Sequence, residues 1–365
     1  MKSLRLFRAL TVLVMLLIVL RVVAAIMPSA QFGEQFHPAQ TPAAPLFDRS
    51  QAVESVLIGG DGGRMHRRMG TAMASWLERS PRQRSALFLG DNIYPAGMPD
   101  PSQAREYERA EESLRRHILP LKPLGVNFLF IPGNHDWDFE GEMGFDRILR
   151  QQEWLNRELG PGHFSPKGGC GGPGLVKLTD HVQALVFDTQ WWLHQAQRGE
   201  SKEAGCEAST PEEMRELVNR HLSATPSNVI TIVSTHHPFR TYGRHGRSTR
   251  CPSGSLCPEN KQMVAELSAM VEPFNPLICA GGHDHGLQLI DGGERGCRYY
   301  VVSGAISDTT SVSYDEGTLY ASDLRGFMML DRTRDGAFYL SIITVQLTGD
   351  SQYHDQVEFS LAISK

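Results

Sequence analysis

Residues 89–97 read LGDNIYPAG. The apolar run SALFLG delivers a carboxylate, an amide and a phenol (Asp91, Asn92, Tyr94), and Pro95 and Gly97 then stop the chain from continuing as a strand. Alone, such a stretch is ordinarily a turn in which Asp and Asn bond nearby backbone. Four more polar clusters also follow apolar, strand-like runs. VLIGGDGG gives Asp61, and FLFIPGNHDW gives Asn134, His135 and Asp136. ITIVSTHHPF gives His236 and His237, and LICAGGHDHGLQ gives His283, Asp284 and His285. A single histidine after a strand is more often a hydrogen-bonded structural residue than a ligand. Five clusters in parallel positions, all rich in Asp, Asn or His, argue jointly for one site.

The ligand types fit two metal ions. A carboxylate can bridge, with one oxygen on each ion, and imidazole suits zinc, iron and manganese. Two ions roughly 3.5–4 Å apart can activate a water and hold the attacking and leaving oxygens of a phosphoryl transfer. A phenolate with two carboxylates is a hard anionic set that favours a trivalent ion. His283 and His285 are one residue apart, so an extended backbone would turn both to the same side.

The elements that must position these residues alternate. Strands are expected at Ser55–Gly59, Ala86–Leu89, Val126–Ile131, Leu175–Leu178, Gln183–Asp188, Val229–Ser234, Pro276–Ala280, Leu287–Asp291 and Tyr299–Ser303. The tail, Gly326–Ile363, alternates like antiparallel strands. Helical periodicity covers Arg67–Glu78, Ser102–His117, Gly144–Glu158, Pro211–Leu222 and Lys261–Val271. That succession predicts an α/β sandwich of sheets flanked by helices, where strand ends converge on a crevice. PKGGCGGPG, residues 166–174, is Gly-rich but lacks the GK[ST] ending of a phosphate loop, and reads as a flexible surface loop.

The chain has 365 residues, 41% hydrophobic and 21% charged, ordinary for a globular protein with a substantial core. A net charge of −5 gives no basic stripe for nucleic acid. The N-terminus opens MKSLRLFR, and a dozen apolar residues follow at 9–20. Residues 1–27 therefore read as a secretory signal peptide or an uncleaved membrane anchor, and 28–50 as a Pro/Ala-rich linker. Both readings put residues 28–365, the linker and the single domain expected at 51–365, outside the cytoplasm: periplasmic, secreted, or anchored facing the exterior. Six cysteines suit that compartment. Cys251–Cys257 would close a short loop, Cys170–Cys206 is a weaker pairing, and Cys279 reads as packed in a strand.

The order Asp61, GDNIY, GNHD, THHP, GHDH resembles the calcineurin-like metallophosphoesterases, over about residues 51–330. It is more narrowly similar to the small, tartrate-resistant purple acid phosphatases. The narrowing rests on Tyr94 three residues after Asp91, on HHPF followed by RHG, and on GHDHGLQ followed by YVVSGA. GGDGG stands where the family usually has GDWGG, and Asp61 is the match. The resemblance implies a metallophosphoesterase-type β-sandwich. It implies Fe3+ held by Asp61, Asp91, Tyr94 and His285, with Asp91 bridging to Fe2+, Zn2+ or Mn2+ held by Asn134, His236 and His283. His135 and His245 are then the catalytic histidines that bind phosphate and protonate the leaving group.

The implied reaction is attack of a metal-bound hydroxide on a phosphate monoester, either a small phosphoester or a phosphoprotein. Another dimetal phosphoesterase, such as a phosphodiesterase or nucleotide hydrolase, is the alternative; the diesterase branches generally lack the tyrosine. A non-catalytic surface-binding protein of this fold would be expected to have broken ligand positions, whereas each is filled here.

Overall fold

The structure is a computed structural model that describes residues 46–79, 83–194, 196–200, 205–247, 258–347 and 353–363. The apolar N-terminal segment, nearly all of the linker, and Cys251 and Cys257 lie outside them.

Thirteen strands among the described residues form two sheets. In chain order they are β1 Ala52–Gly59, β2 Gln83–Phe88, β3 Asn127–Phe130, β4 Gly174–Lys177, β5 Val182–Val186, β6 Ile230–Ser234, β7 Ile278–Gly281, β8 Leu287–Asp291, β9 Tyr299–Ser303, β10 Thr318–Ser322, β11 Gly326–Thr333, β12 Phe338–Leu347 and β13 Tyr353–Ile363. The first sheet runs β13-β12-β11-β1-β2-β3 and the second β10-β8-β9-β7-β6-β5-β4. Neighbours among β1, β2 and β3 pair parallel, as do neighbours among β5, β6, β7 and β9. The tail strands β11 to β13 pair antiparallel, as their alternation predicts.

The strands alternate faces with period 2. Val56 and Ile58 of β1, Leu87 of β2 and Leu129 of β3 face Ala184, Ile232, Ile278 and Val301 across the sandwich. Leu57, Ala86, Phe88, Phe128 and Phe130 point the other way into the helix layer. Both faces are covered, which is why SALFLG and FLFIP read as continuous apolar runs.

The helices are α1 Arg67–Glu78, α2 Ala104–Ile118, α3 Gly144–Leu159, α4 Thr189–Leu193, α5 Pro211–Ser223, α6 Arg244–Arg247 and α7 Pro258–Val271. On α1 the buried residues Met69, Ala72, Met73, Trp76 and Leu77 follow an i, i+3, i+4, i+7, i+8 stripe. On α2 they are Ala110, Leu114, His117 and Ile118. The fold is thus a mixed α/β sandwich with helices on its flanks.

Two local expectations are corrected. Residues 166–174 are not a flexible surface loop: Cys170 is buried and disulfide-bonded to Cys206, and Gly171 lies against Trp191. A Cβ on Gly171 would come within 2.6 Å of that indole, so the glycines serve close packing. Cys279 is not a packed thiol but is bonded to Cys297, tying β7 to the start of β9. The two disulfides among the described residues suit an oxidising compartment. Among the described residues no helix is long and apolar enough to cross a membrane.

His117 gives the fold a pH dependence. Its ring packs edge-on to Phe88 at 4.7 Å, its Nδ1–H donates to the Ser113 carbonyl at 2.8 Å, and burial pushes its pKa down to about 4. The unfolded chain takes up that proton near pH 6.5, so the contribution to stability is complete above 6.5 and lost as pH falls towards 4. The loss is on the order of 2–3 kcal/mol. We expect His117→Asn to be less stable than wild type at pH 7.5 but to lose less Tm between pH 7.5 and 4.5. Equal Tm losses would show that His117 does not carry the effect.

Candidate metal centre

The parallel strands bring the polar clusters together. Asp61 follows β1, Asp91 follows β2 and Asn134 follows β3, from one sheet. His236 follows β6 and His283 follows β7, from the other. One ligand atom each from Asp61, Asp91 and His236, all buried, lie within 4.8 Å of one another.

Around these three the side chains fall into two groups. In one, Tyr94 Oη lies 3.2 Å from His285 Nε2 and 3.4 Å from Asp61 Oδ1, and His285 Nε2 is 3.4 Å from the same Oδ1. In the other, Asn134 Oδ1 lies 2.8 Å from His236 Nε2 and 3.0 Å from His283 Nδ1. Asp91 Oδ1 is 3.4 Å from His236 Nε2. His236 Nδ1–H donates to the Leu89 carbonyl at 2.8 Å, which turns Nε2 towards the cluster. Its neighbour His237 is held elsewhere, with Nδ1 at 2.8 Å from Thr189 Oγ1.

His283 and His285 do not share one side of an extended strand. The strand ends at Gly281, and His283 has a φ of 63°, so the left-handed backbone sends the two rings to different groups. Asp61 and Asp91 are also left-handed, with φ of 61° and 53°. Such values are uncommon away from glycine, and strain of this kind collects at functional sites. Gly133 makes the approach feasible: a Cβ there would lie 2.4 Å from both N and Oδ1 of Asp91.

The two histidines outside the groups are close by. His135 Nδ1–H donates to the Pro95 carbonyl at 2.6 Å, and its Nε2 is 3.9 Å from Asp91 Oδ2. The His245 ring centroid is 4.1 Å from that of His283, and its backbone N–H donates to Asp284 Oδ1 at 2.7 Å. The nine residues that the resemblance implies as metal ligands or catalytic histidines therefore lie close together, around the Asp61–Asp91–His236 cluster.

A model of the calcineurin-like phosphoesterase family matches residues 71–287, more than half of the chain. The chain belongs to that family. No curated protein matches it. Among solved structures it is similar to GAP50, the anchor in the inner membrane complex of Plasmodium, at 14% identity and a TM-score of 0.52, over 85% of this chain and 89% of that one. It is also similar to the purple acid phosphatase PPD1 from yellow lupin (Lupinus luteus) seeds, at 14% identity and a TM-score of 0.55, over 87% of this chain and 55% of the lupin chain. At such identity the likeness is one of fold.

The donor set of this calcineurin-like phosphoesterase fits metal ions. It offers carboxylate, phenol, amide oxygen and imidazole, and no thiolate, a hard to borderline set. Among the described residues Asp61 and Asp91 pair with histidines and with no Lys or Arg. Buried His283 Nε2 has no hydrogen-bond partner. Burial pushes the Asp61 carboxyl above its ordinary range, against the pull of His285 and His236. Burial, with the charges of Asp91 and Asp61, pushes the Tyr94 phenol well above its usual value. Burial and the neighbouring histidines push His283 well down, keeping it a neutral imidazole, the form that ligates. A cation offsets the cost of ionising the carboxylate and the phenol together.

The phosphoesterase also relies on acids that spacing alone leaves without a role. Asp136 accepts from Gly133 N at 2.8 Å, Ile93 N at 3.1 Å and Asn92 Nδ2 at 3.0 Å, so it braces the GDN turn against the GNH turn. Burial, then the charge of Asp91, raises it to about 7. Asp188 caps α4 by accepting from Gln190 N and Trp191 N, each at 3.0 Å, and also accepts from Trp137 Nε1 at 2.8 Å. Asp284 holds the His245 loop through Thr241 Oγ1 and His245 N. Two of these acids sit inside GNHD and GHDH, so motif position was the available signal; Asp188 carried none.

Proposed function

We propose that this phosphoesterase is a dinuclear-metal acid phosphatase acting on phosphate monoesters, small ones or those of phosphoproteins. The observation that carries the reading is the pair of side-chain groups meeting at Asp91. Asp61, Asp91, Tyr94 and His285 would hold a ferric ion, and Asp91, Asn134, His236 and His283 a divalent iron, zinc or manganese ion. Bound there, the ions would acidify a water and neutralise charge on the phosphoryl oxygens.

The chain's own residues do the rest. His135, with Nδ1–H fixed on the Pro95 carbonyl, turns Nε2 towards Asp91, 3.9 Å from Oδ2, where it can hand a proton to the leaving oxygen. His245, anchored through its backbone on Asp284, orients the phosphate beside His283. We further propose that residues 1–27 act as signal or anchor, that 28–50 link it to the domain at 51–365, and that the domain works outside the cytoplasm.

The likeness to GAP50, an anchor, raises the alternative of a non-catalytic binding protein. The filled donor positions favour catalysis. Colour tests the finer reading. A ferric ion on the Tyr94 phenolate gives a visible charge-transfer band, which zinc or a ferric ion on carboxylate and imidazole alone does not. Protein prepared with iron should be violet to pink, and Tyr94→Phe should bleach it while the fold survives. A colourless, iron-free wild-type protein from the same preparation would remove the purple-phosphatase reading and leave the broader dimetal phosphoesterase.

A further inference from the structure

A cleft of about 480 Å³ opens beside the centre. One wall is Gly63, Arg64 and Tyr94; the other is a face of α2 carrying Arg105, Arg109, Ser113 and Arg116. These helix positions are spaced four, four and three apart, so they share one side of the helix. Ser113 Oγ donates to the Gly63 carbonyl at 2.9 Å, which fixes α2 against the loop that follows Asp61.

The lining of the cleft carries more positive than negative charge. Five arginines (64, 105, 109, 115 and 116) and two glutamates (108 and 112) line it. Glu112 is engaged by Arg116 at 3.2 Å and Arg67 at 3.6 Å, and Arg115 is turned to Glu111 at 3.4 Å. Arg64 lies over the Tyr94 ring, 5.3 Å from its centroid, and reaches Asp308 only at 4.0 Å. Arg105 and Arg109 are exposed. An arginine row on a helix is usually a solvated face. Here its opposite wall is Tyr94, whose hydroxyl lies 3.2 Å from His285 at the candidate centre.

We infer that the cleft is a subsite for a second phosphate, carried on the leaving group of a small bisphosphorylated substrate. The inference rests on the phosphatase reading for its hydrolytic consequence. Guanidinium groups bind phosphate oxygens bidentately, and the cleft volume suits a small molecule rather than a folded partner. With one phosphate at the centre, the second lies on the Tyr94 side, against Arg64, Arg105 and Arg109. The contact adds ground-state binding, so it lowers KM more than it changes kcat.

The test compares glucose 6-phosphate with glucose 1,6-bisphosphate on the wild-type metalloprotein and on the Arg64→Gln/Arg105→Gln/Arg109→Gln variant. Hydrolysis and equilibrium binding by calorimetry are both measured. The wild type should favour the bisphosphate by roughly 10–100-fold in kcat/KM, mainly through KM, as charge-assisted bonds of this kind give. The variant should lose that preference and keep its rate on glucose 6-phosphate within about twofold, since none of the three is a candidate ligand or proton donor. Equal use of the two substrates by the wild type, or equal losses on both in the variant, overturns the subsite and leaves the phosphatase reading standing. No hydrolysis of either, with arginine-dependent preference in binding, overturns the phosphatase reading and leaves the subsite standing.

Discussion

Asp91→Asn is expected to empty both metal positions at once and to lower kcat/KM on phosphate monoesters by at least roughly 10³-fold, more than loss of a single oxyanion donor costs. Asp91 faces both groups of donors, and its Oδ1 also accepts the backbone N–H of His135 at 2.9 Å. The amide keeps the shape of the side chain but not its charge, and an amide cannot offer two anionic oxygens to two cations. Elemental analysis and steady-state kinetics on the same preparation read the result. Near-normal metal content with near-normal turnover would remove Asp91 from the bridging position.

His135→Ala should separate metal binding from chemistry. We expect both ions to stay, and kcat to fall roughly 10²–10⁴-fold if the imidazole protonates the leaving oxygen. The loss should be larger for an alkyl phosphate than for p-nitrophenyl phosphate, whose phenolate departs with little need of a proton. The ring lies between Tyr94 and Phe139, with both centroids at 4.4 Å, so truncation also loosens packing. A purely structural role would lower both substrates alike. Metal loss with unchanged kcat per bound metal would make His135 a ligand and not a proton donor.

Much of the arrangement was legible in the sequence because apolar runs and polar clusters alternate cleanly. Helix α1 and strands β8 and β9 have the bounds their patterns predict. The convergence of Asp61 with His283, a backbone N–H to Oδ2 bond of 2.8 Å across 222 positions, follows from strands in two sheets ending at one edge. Other features depend on contacts that no local pattern encodes. The left-handed backbone at Asp61, Asp91 and His283 is imposed by tertiary packing, so the histidine spacing misled. Strand β10, a short TLYAS run, exists through its antiparallel pairing with β8. The Cys279–Cys297 bond needs β7 beside β9, and glycines at 166–174 look like a mobile loop until Trp191 and Cys206 are placed against them.

Metal removal and return tests the central claim most directly. The wild-type protein should carry two ions per chain, lose hydrolysis of p-nitrophenyl phosphate on exhaustive chelation, and regain it when iron and a divalent ion are added together. Full activity in the metal-free protein would contradict the account. So would a fully loaded protein that hydrolyses no phosphate monoester, which would make this chain a binding protein on a phosphoesterase fold.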